Sequence, residues 1–84
     1  EYYLSEIQNM IATDKWRHEM KEFVTLNQGK EVFIWSGYNN GYWRPEGAGY
    51  TNIIKQAGIF EVEKAWNRVK HVDASKRISF ELIN

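Results

Sequence analysis

The sequence contains no cysteine. That excludes a disulfide framework and any thiolate-bound metal, and it suits a reducing compartment. Only two histidines are present, His18 and His71, far apart along the chain. His18-Glu19 is not followed by a second histidine four residues after the first, so the zincin pattern is missing, and neither a metal site nor a cofactor is expected. No apolar run is long enough to cross a bilayer and no signal-peptide pattern opens the chain; a cytoplasmic protein without a membrane partner is the expectation. The chain opens on Glu1 rather than Met, so further leading residues are expected in the translated product. Charge of one sign is lacking too. Eleven Lys and Arg balance eleven Asp and Glu, whereas a duplex-DNA binder usually carries a strong basic excess. Residues 1–42 hold four basic and six acidic residues and residues 43–84 hold seven and five, an asymmetry too small to name a partner.

A recognisable catalytic set is also missing. Ser36 follows a strand pattern and precedes Gly37, but no glycine stands two residues before it, so the nucleophile-elbow pattern fails. Ser36 reads better as a turn residue bonding nearby backbone. Ser36, His71 and Asp73 make a triad only on paper. Glu61 and Glu63 flank Val62 where acidic residues favour a helix N-terminus, and Glu46 is a lone acid in a loop. Gly47-Ala48-Gly49 lacks the lysine and the third glycine of phosphate-binding loops. No enzymatic activity is therefore expected.

What remains is a pattern of elements that fits one small domain over residues 1–84. Ser5-Glu6-Ile7-Gln8 reads as a capping box. Ile7, Met10 and Ile11 share one helical face, while Trp16, Met20, Phe23 and Val24 share a face almost opposite. A break near Thr13-Asp14, with Thr13 capping a second helix, reconciles the two stripes; one continuous helix is the alternative. The helix is expected to reach about Phe23, with Gly29 as its stop, although Phe23 to Leu26 with an Asn27-Gln28-Gly29 turn also suits a hairpin. Glu31 to Ser36 is the clearest strand, placing Phe33 and Trp35 on one face and Val32 and Ile34 on the other. Asn40-Gly41 predicts a type I′ turn, with Tyr42 to Arg44 returning until Pro45 ends the pairing. Thr51 is expected to cap a short helix through Ile53, Ile54 and Ala57, closed by Gly58. Val62, Ala65, Trp66 and Val69 form an amphipathic helix from about Glu61 to His71, and Ile78 to Ile83 alternates as a closing strand. The expectation is an α+β fold of order α-β-β-α-β, its antiparallel sheet carrying helices on one face.

One segment stands out. Residues 35–51 hold four of the six glycines and five of the thirteen aromatics. One of Tyr42 and Trp43 must point away from the core unless both sheet faces are covered. Trp43, Arg44 and Tyr50, flanked by Tyr38 and Tyr42, are the candidate binding residues. Such rings and an arginine anchor protein interfaces, and they also stack single-stranded nucleic acid or nucleotides. Alternatively Arg44 stacks on Trp43 and the segment folds back over the core. The basic face of the last helix, Lys64 and Arg68, reads as solvated rather than phosphate-binding.

The run Trp35-Ser36, Tyr42-Trp43-Arg44-Pro45, Gly49-Tyr50-Thr51, Ala57 to Phe60, and Glu61 with Glu63-Lys64-Ala65 resembles a family of small proteins encoded by bacteriophages and prophages. The resemblance covers under half of the chain and carries no catalytic residues with it. It implies a mobile-element protein acting inside a bacterial host, where many such proteins bind and block a host protein, anti-CRISPR inhibitors among them. A monomer or a homodimer paired through an exposed strand edge is compatible with the sequence.

Overall fold

The computed structural model describes the backbone of residues 2–83 and the side chains of residues 6–83. A single helix, α1, runs over Tyr2–Leu26. Strand β1, Glu31–Ser36, follows, then β2, Gly41–Trp43, β3, Tyr50–Thr51, and β4, Phe60–Glu61. Helix α2, Val62–Val69, starts directly from β4, and β5, Ile78–Leu82, closes the chain. Three short 3-10 turns lie at Pro45–Gly47, Ile54–Gln56 and Ala74–Lys76.

All strand pairings are antiparallel, and β1 is their centre. On one flank it pairs with β5 from Val32↔Leu82 to Ser36↔Ile78. On the other, two strands lie end to end: Glu31 and Val32 meet Glu61 and Phe60 of β4, while Trp35 and Ser36 meet Tyr42 and Gly41 of β2. The Gly58 amide donates to the Trp43 carbonyl at 2.8 Å near the junction of those two strands. A Cβ at Gly58 would sit 2.8 Å from a Phe60 ring carbon and 2.9 Å from Pro45 Cα, so the junction requires glycine. β3 pairs outside β2. This is the expected α+β architecture. Two of its strands, β3 and β4, are only two residues long and fall where no alternation is visible.

Alternation sets the two sheet faces. Val32, Ile34, Phe60, Ile78 and Phe80 point to one side and join Met20 and Val24 of α1 and Val62, Ala65 and Val69 of α2 in the buried core. Trp66 lies half-buried beside them, its ring centroid 5.8 Å from that of Trp16. The opposite face carries Phe33, Trp35 and Tyr42 in edge-to-face contact, with centroids 5.8 and 4.9 Å apart.

The expected break in the first helix is absent. The backbone is already helical at Tyr2, so Ser5 lies inside the helix rather than capping it, and Thr13 is a mid-helix residue. The reason is that only one stripe is buried. Met20 and Val24 are in the core, whereas Met10 and Ile11 stay exposed at 66% and 65%. Polar contacts secure the same helix elsewhere. The Thr13 hydroxyl accepts from the Ala74 amide at 3.0 Å. Arg17 donates to the Lys70 and Val72 carbonyls at 3.0 and 3.2 Å, capping the end of α2 where cationic groups are favoured. Asn9 donates to Asp73 at 3.2 Å. At the C-terminal end, Phe23 and Val24 pack at helical spacing with Met20, and this decides against the hairpin alternative; the helix ends at Leu26, and Gly29 follows at φ 81°.

Two further expectations change. Asn40-Gly41 is not a two-residue turn: the register leaves a four-residue loop, Gly37 to Asn40, and only Asn40 of that pair has positive φ. The stretch after Thr51 forms a single 3-10 turn instead of a helix, because Thr51 itself is a buried strand residue paired with Tyr42.

Thr13 is buried, so replacing its hydroxyl by a methyl strands the Ala74 N–H. Thr13→Val should lower unfolding stability by about 1–3 kcal/mol in urea titrations, well above an exposed control such as Lys21→Ala.

Candidate functional site

The sheet separates the candidate binding residues. Tyr42 and Trp43 are neighbours, so they face opposite sides. Tyr42 lies on the outer face, where its hydroxyl donates to Glu81 Oε1 at 3.0 Å. That hydrogen bond, helped by partial burial, holds the phenol above its usual 10.0. Trp43 points to the helix side, against Tyr50 and Phe60 with both centroid distances 6.5 Å. Arg44 does not stack on Trp43. Its Nε donates to the Tyr50 carbonyl at 3.2 Å and a terminal nitrogen to Gln56 Oε1 at 3.1 Å. Gln56 Oε1 also accepts from the Thr51 hydroxyl at 3.0 Å. Arg44 thus ties the loop together and is a positioning residue. Two of the five candidates, Tyr42 and Arg44, are committed to structural contacts.

The other three converge. Tyr38, Trp43 and Tyr50 line one cavity of about 180 Å³, together with Ser36, Asn39, Val72, Lys76 and Ile78. Tyr38 and Tyr50 are 61% and 44% exposed, while Ser36 is almost completely buried. Ser36 closes the first hairpin loop: its hydroxyl donates to Asn39 Oδ1 at 2.9 Å and accepts from the Asn39 amide at 3.2 Å. Lys76 lies with its ammonium 4.2 Å from the centre of the Tyr38 ring, a cation–π contact. The loop is held against the end of the 3-10 turn by three bonds. Gly37 donates to Arg77, Tyr38 donates to Lys76, and the Arg77 guanidinium returns a bond to the Gly37 carbonyl at 2.9 Å.

One group in this cavity lining is unsatisfied. The Trp43 indole N–H is shut away from water, with no acceptor among the described residues. A buried donor without a partner costs about 1–3 kcal/mol.

Larger hollows lack such a feature. One of about 450 Å³ opens at the start of β1, beside Glu31 and Glu61. Another of about 360 Å³ lies between α1 and Asp73, where Asn9, Thr13, Arg17 and Asp73 are already bonded and Asp14 is exposed. A third, of about 370 Å³, is lined by α1 alone. Among the described residues no group of three His, Asp or Glu side chains can hold a metal ion. His18 makes only an exposed contact with Glu22 at 3.4 Å. Ser36, His71 and Asp73 are not joined by hydrogen bonds: Ser36 is engaged with Asn39, and Ser75 and Asn9 hold the Asp73 carboxyl below its usual range. Lys64 and Arg68 are exposed, as expected of a solvated helix face, and the Arg68 guanidinium lies 5.4 Å from the centre of the Phe60 ring. No helix among the described residues is long and apolar enough to cross a membrane.

Lys76, Asn39 and Val72 escaped the sequence reading. Lys76 stands in an ordinary polar connector, and only the strand register brings it to Tyr38. Asn39 carried a faint local signal, since asparagine favours turns. Comparison with protein-family models, curated proteins and solved structures finds no match to this chain.

Two outcomes check this geometry. A Cβ at Gly37 would lie 2.7 Å from Arg77 Cβ, so Gly37→Ala should destabilise the fold by about 1–3 kcal/mol and part the Tyr38 and Lys76 resonances from their native shifts. The second concerns Tyr42. Its raised folded value means that the Tyr42–Glu81 bond supports the fold fully below pH 10.0 and is lost as pH rises through that folded value. Carbon-13 titration of the tyrosine ring should therefore give a midpoint above 10.0 for Tyr42, returning toward 10.0 in Glu81→Gln.

Proposed function

We propose that this protein is a non-enzymatic binding module that docks on another protein through the face bearing Tyr38, Trp43 and Tyr50. The observation that carries the reading is the size and lining of the cavity between these rings. At about 180 Å³ it is smaller than the roughly 300–1,000 Å³ of sites that enclose drug-sized ligands, and it suits one inserted side chain. Tyrosine and tryptophan are the residue types that dominate the energetics of protein interfaces. With the phage-like pattern of residues 35–65, the partner is a bacterial host protein that the module modulates as an inhibitor, in the manner of anti-CRISPR proteins, in the host cytoplasm.

Single-stranded nucleic acid or nucleotide binding through the same rings is less well supported. Base stacking needs free ring faces on one platform. Tyr42 lies on the other side of the sheet, and the Lys76 ammonium occupies one face of Tyr38.

The test uses the exposed rings, whose removal leaves the core intact. Wild type and a Tyr38→Ala, Tyr50→Ala double variant are immobilised and exposed to lysate of the cells that make the protein. At least one protein should be retained by the wild type and lost by about tenfold or more from the variant. Equal retention by both, or retention of oligonucleotide alone, overturns the reading.

A further inference from the structure

The outer face of the sheet is left open. Both helices pack on the other side, with Val32 and Ile34, and among the described residues neither covers this one. Phe33, Trp35 and Tyr42 are only partly buried here, in contact with one another. Phe33 pairs with Glu81, and Trp35 pairs with Tyr42 on one flank and Ser79 on the other. Ile59 precedes the inward Phe60 and so alternates onto the outer face beside Phe33, where it is 58% exposed. Apolar groups gathered in one exposed patch mark interaction surfaces, whereas scattered ones need no explanation.

Charge on this face is divided by position. At the start of β1, Glu31 stands directly opposite Glu61, a like-charge pair that is unfavourable across two strands. At the other end, Arg77 reaches over Gly37. A Cβ at Gly37, pointing by alternation to the side of Phe33 and Trp35, would lie 2.7 Å from Arg77 Cβ and 2.9 Å from its Nε. Among the described residues the only side-chain ion pair joins His18 to Glu22, so Glu31, Glu61 and Arg77 all lack an opposite charge. Along β1 the outer face therefore presents a carboxylate at 31, rings at 33 and 35, and a guanidinium over 37.

We propose that this face is the contact of a symmetric homodimer, packed sheet on sheet. A two-fold axis that crosses β1 at the level of Ile34 and lies between the sheets exchanges the two ends of the strand. It sets Phe33 of each copy on Trp35 of the other, and Glu31 of each beside Arg77 of the other. On the flanks it sets Tyr42 on Ile59 and the Glu81 carboxylate by the Ser79 hydroxyl. Other occupants fit one end only. A basic peptide satisfies Glu31 and Glu61 but opposes Arg77, an acidic one does the reverse, and nucleic-acid phosphates meet three carboxylates. The face is small. Six steps of about 3.3 Å and a width of four strands about 4.8 Å apart give a footprint of about 400 Å² in projection. That is below the standard interface of about 800 Å² a side, so the dimer is weak, with a dissociation constant of about 10–500 µM expected.

The test is the mass of the full chain in sedimentation equilibrium from about 10 µM to about 1 mM. It should rise with concentration from that of one chain toward twice that value. Glu31→Arg and Arg77→Glu should each weaken association by about tenfold or more, since symmetry repeats the lost pair. The double variant re-forms the pair in reverse and should return the affinity to within about threefold of wild type. A measurement on the unsubstituted chain stands even where a variant fails to fold. In a mixture of labelled and unlabelled chains, isotope-filtered NMR should show magnetisation passing from the Phe33 ring of one copy to the Trp35 ring of the other. A chain that stays monomeric to about 1 mM overturns the proposal. So does a double variant no better than the single ones, or an intermolecular contact that falls on the free edge of β5 or on Tyr38 and Tyr50. Partner capture through Tyr38 and Tyr50 is read in a separate experiment, so either contact can fail while the other stands.

Discussion

Everything in this small fold hangs on β1. It pairs on both flanks, with β5 from Val32 to Ser36 on one side and, on the other, with β4 at Glu31 and Val32 and with β2 at Trp35 and Ser36. Val32 and Ile34 have no solvent exposure at all. A strand so placed cannot slide, because a one-residue slip would carry Val32 and Ile34 to the outer face and bring Phe33 and Trp35 under the helices. Its register therefore determines which rings of the following hairpin turn inward. Through Trp35↔Tyr42 and Ser36↔Gly41 it sends Tyr42 outward and Trp43 toward the core side, and through Ser36↔Ile78 it delivers the last strand to the same cavity. The outer face it leaves is aromatic at its centre, with Glu31, Glu61 and Glu81 as the only charged residues on any of the five strands.

The elements with strong periodicity were legible from residues alone. The central strand, the helix bearing Val62, Ala65 and Val69, and the closing strand all lie within a few residues of expectation, since each buries one face against the same core. The first helix was harder. Two apolar stripes on opposite sides suggest two helices only if both are buried. Here Met10 and Ile11 stay in solvent while Thr13, Arg17 and Asn9 attach that half of α1 by polar bonds to residues 70–74. Nothing local to α1 announces such long-range bonds. Thr13 illustrates the point: a threonine suited to capping a helix does bond a backbone amide, but that of Ala74 at the start of a distant turn.

The site was half legible. Composition singled out residues 35–51, and alternation required Tyr42 and Trp43 to part. It could not say which went inward, because both faces of β1 are apolar, Val32 and Ile34 on one and Phe33 and Trp35 on the other. The Asn40-Gly41 pair suggested a two-residue turn, and the four-residue loop sets the register instead. Arg44 looked like a binding residue because arginine beside tryptophan often is one; its bonds to Tyr50 and Gln56 could not be read from a segment with no visible strand. Lys76 and Asn39 were missed because one comes from far along the chain and the other from turn geometry.

The contact between Gly37 and Arg77 has a thermodynamic consequence. It joins the first hairpin loop to the residue that leads into the last strand, so the walls of the cavity come from segments some forty positions apart in the chain. The cavity is therefore a property of the completed fold and cannot exist in a chain whose last strand has come away. Any molecule that occupies it draws on the same equilibrium as folding. Each tenfold excess of ligand over its dissociation constant adds about 1.4 kcal/mol to global stability. Occupancy at this one small opening would thus be felt as slower hydrogen exchange along the whole length of β1.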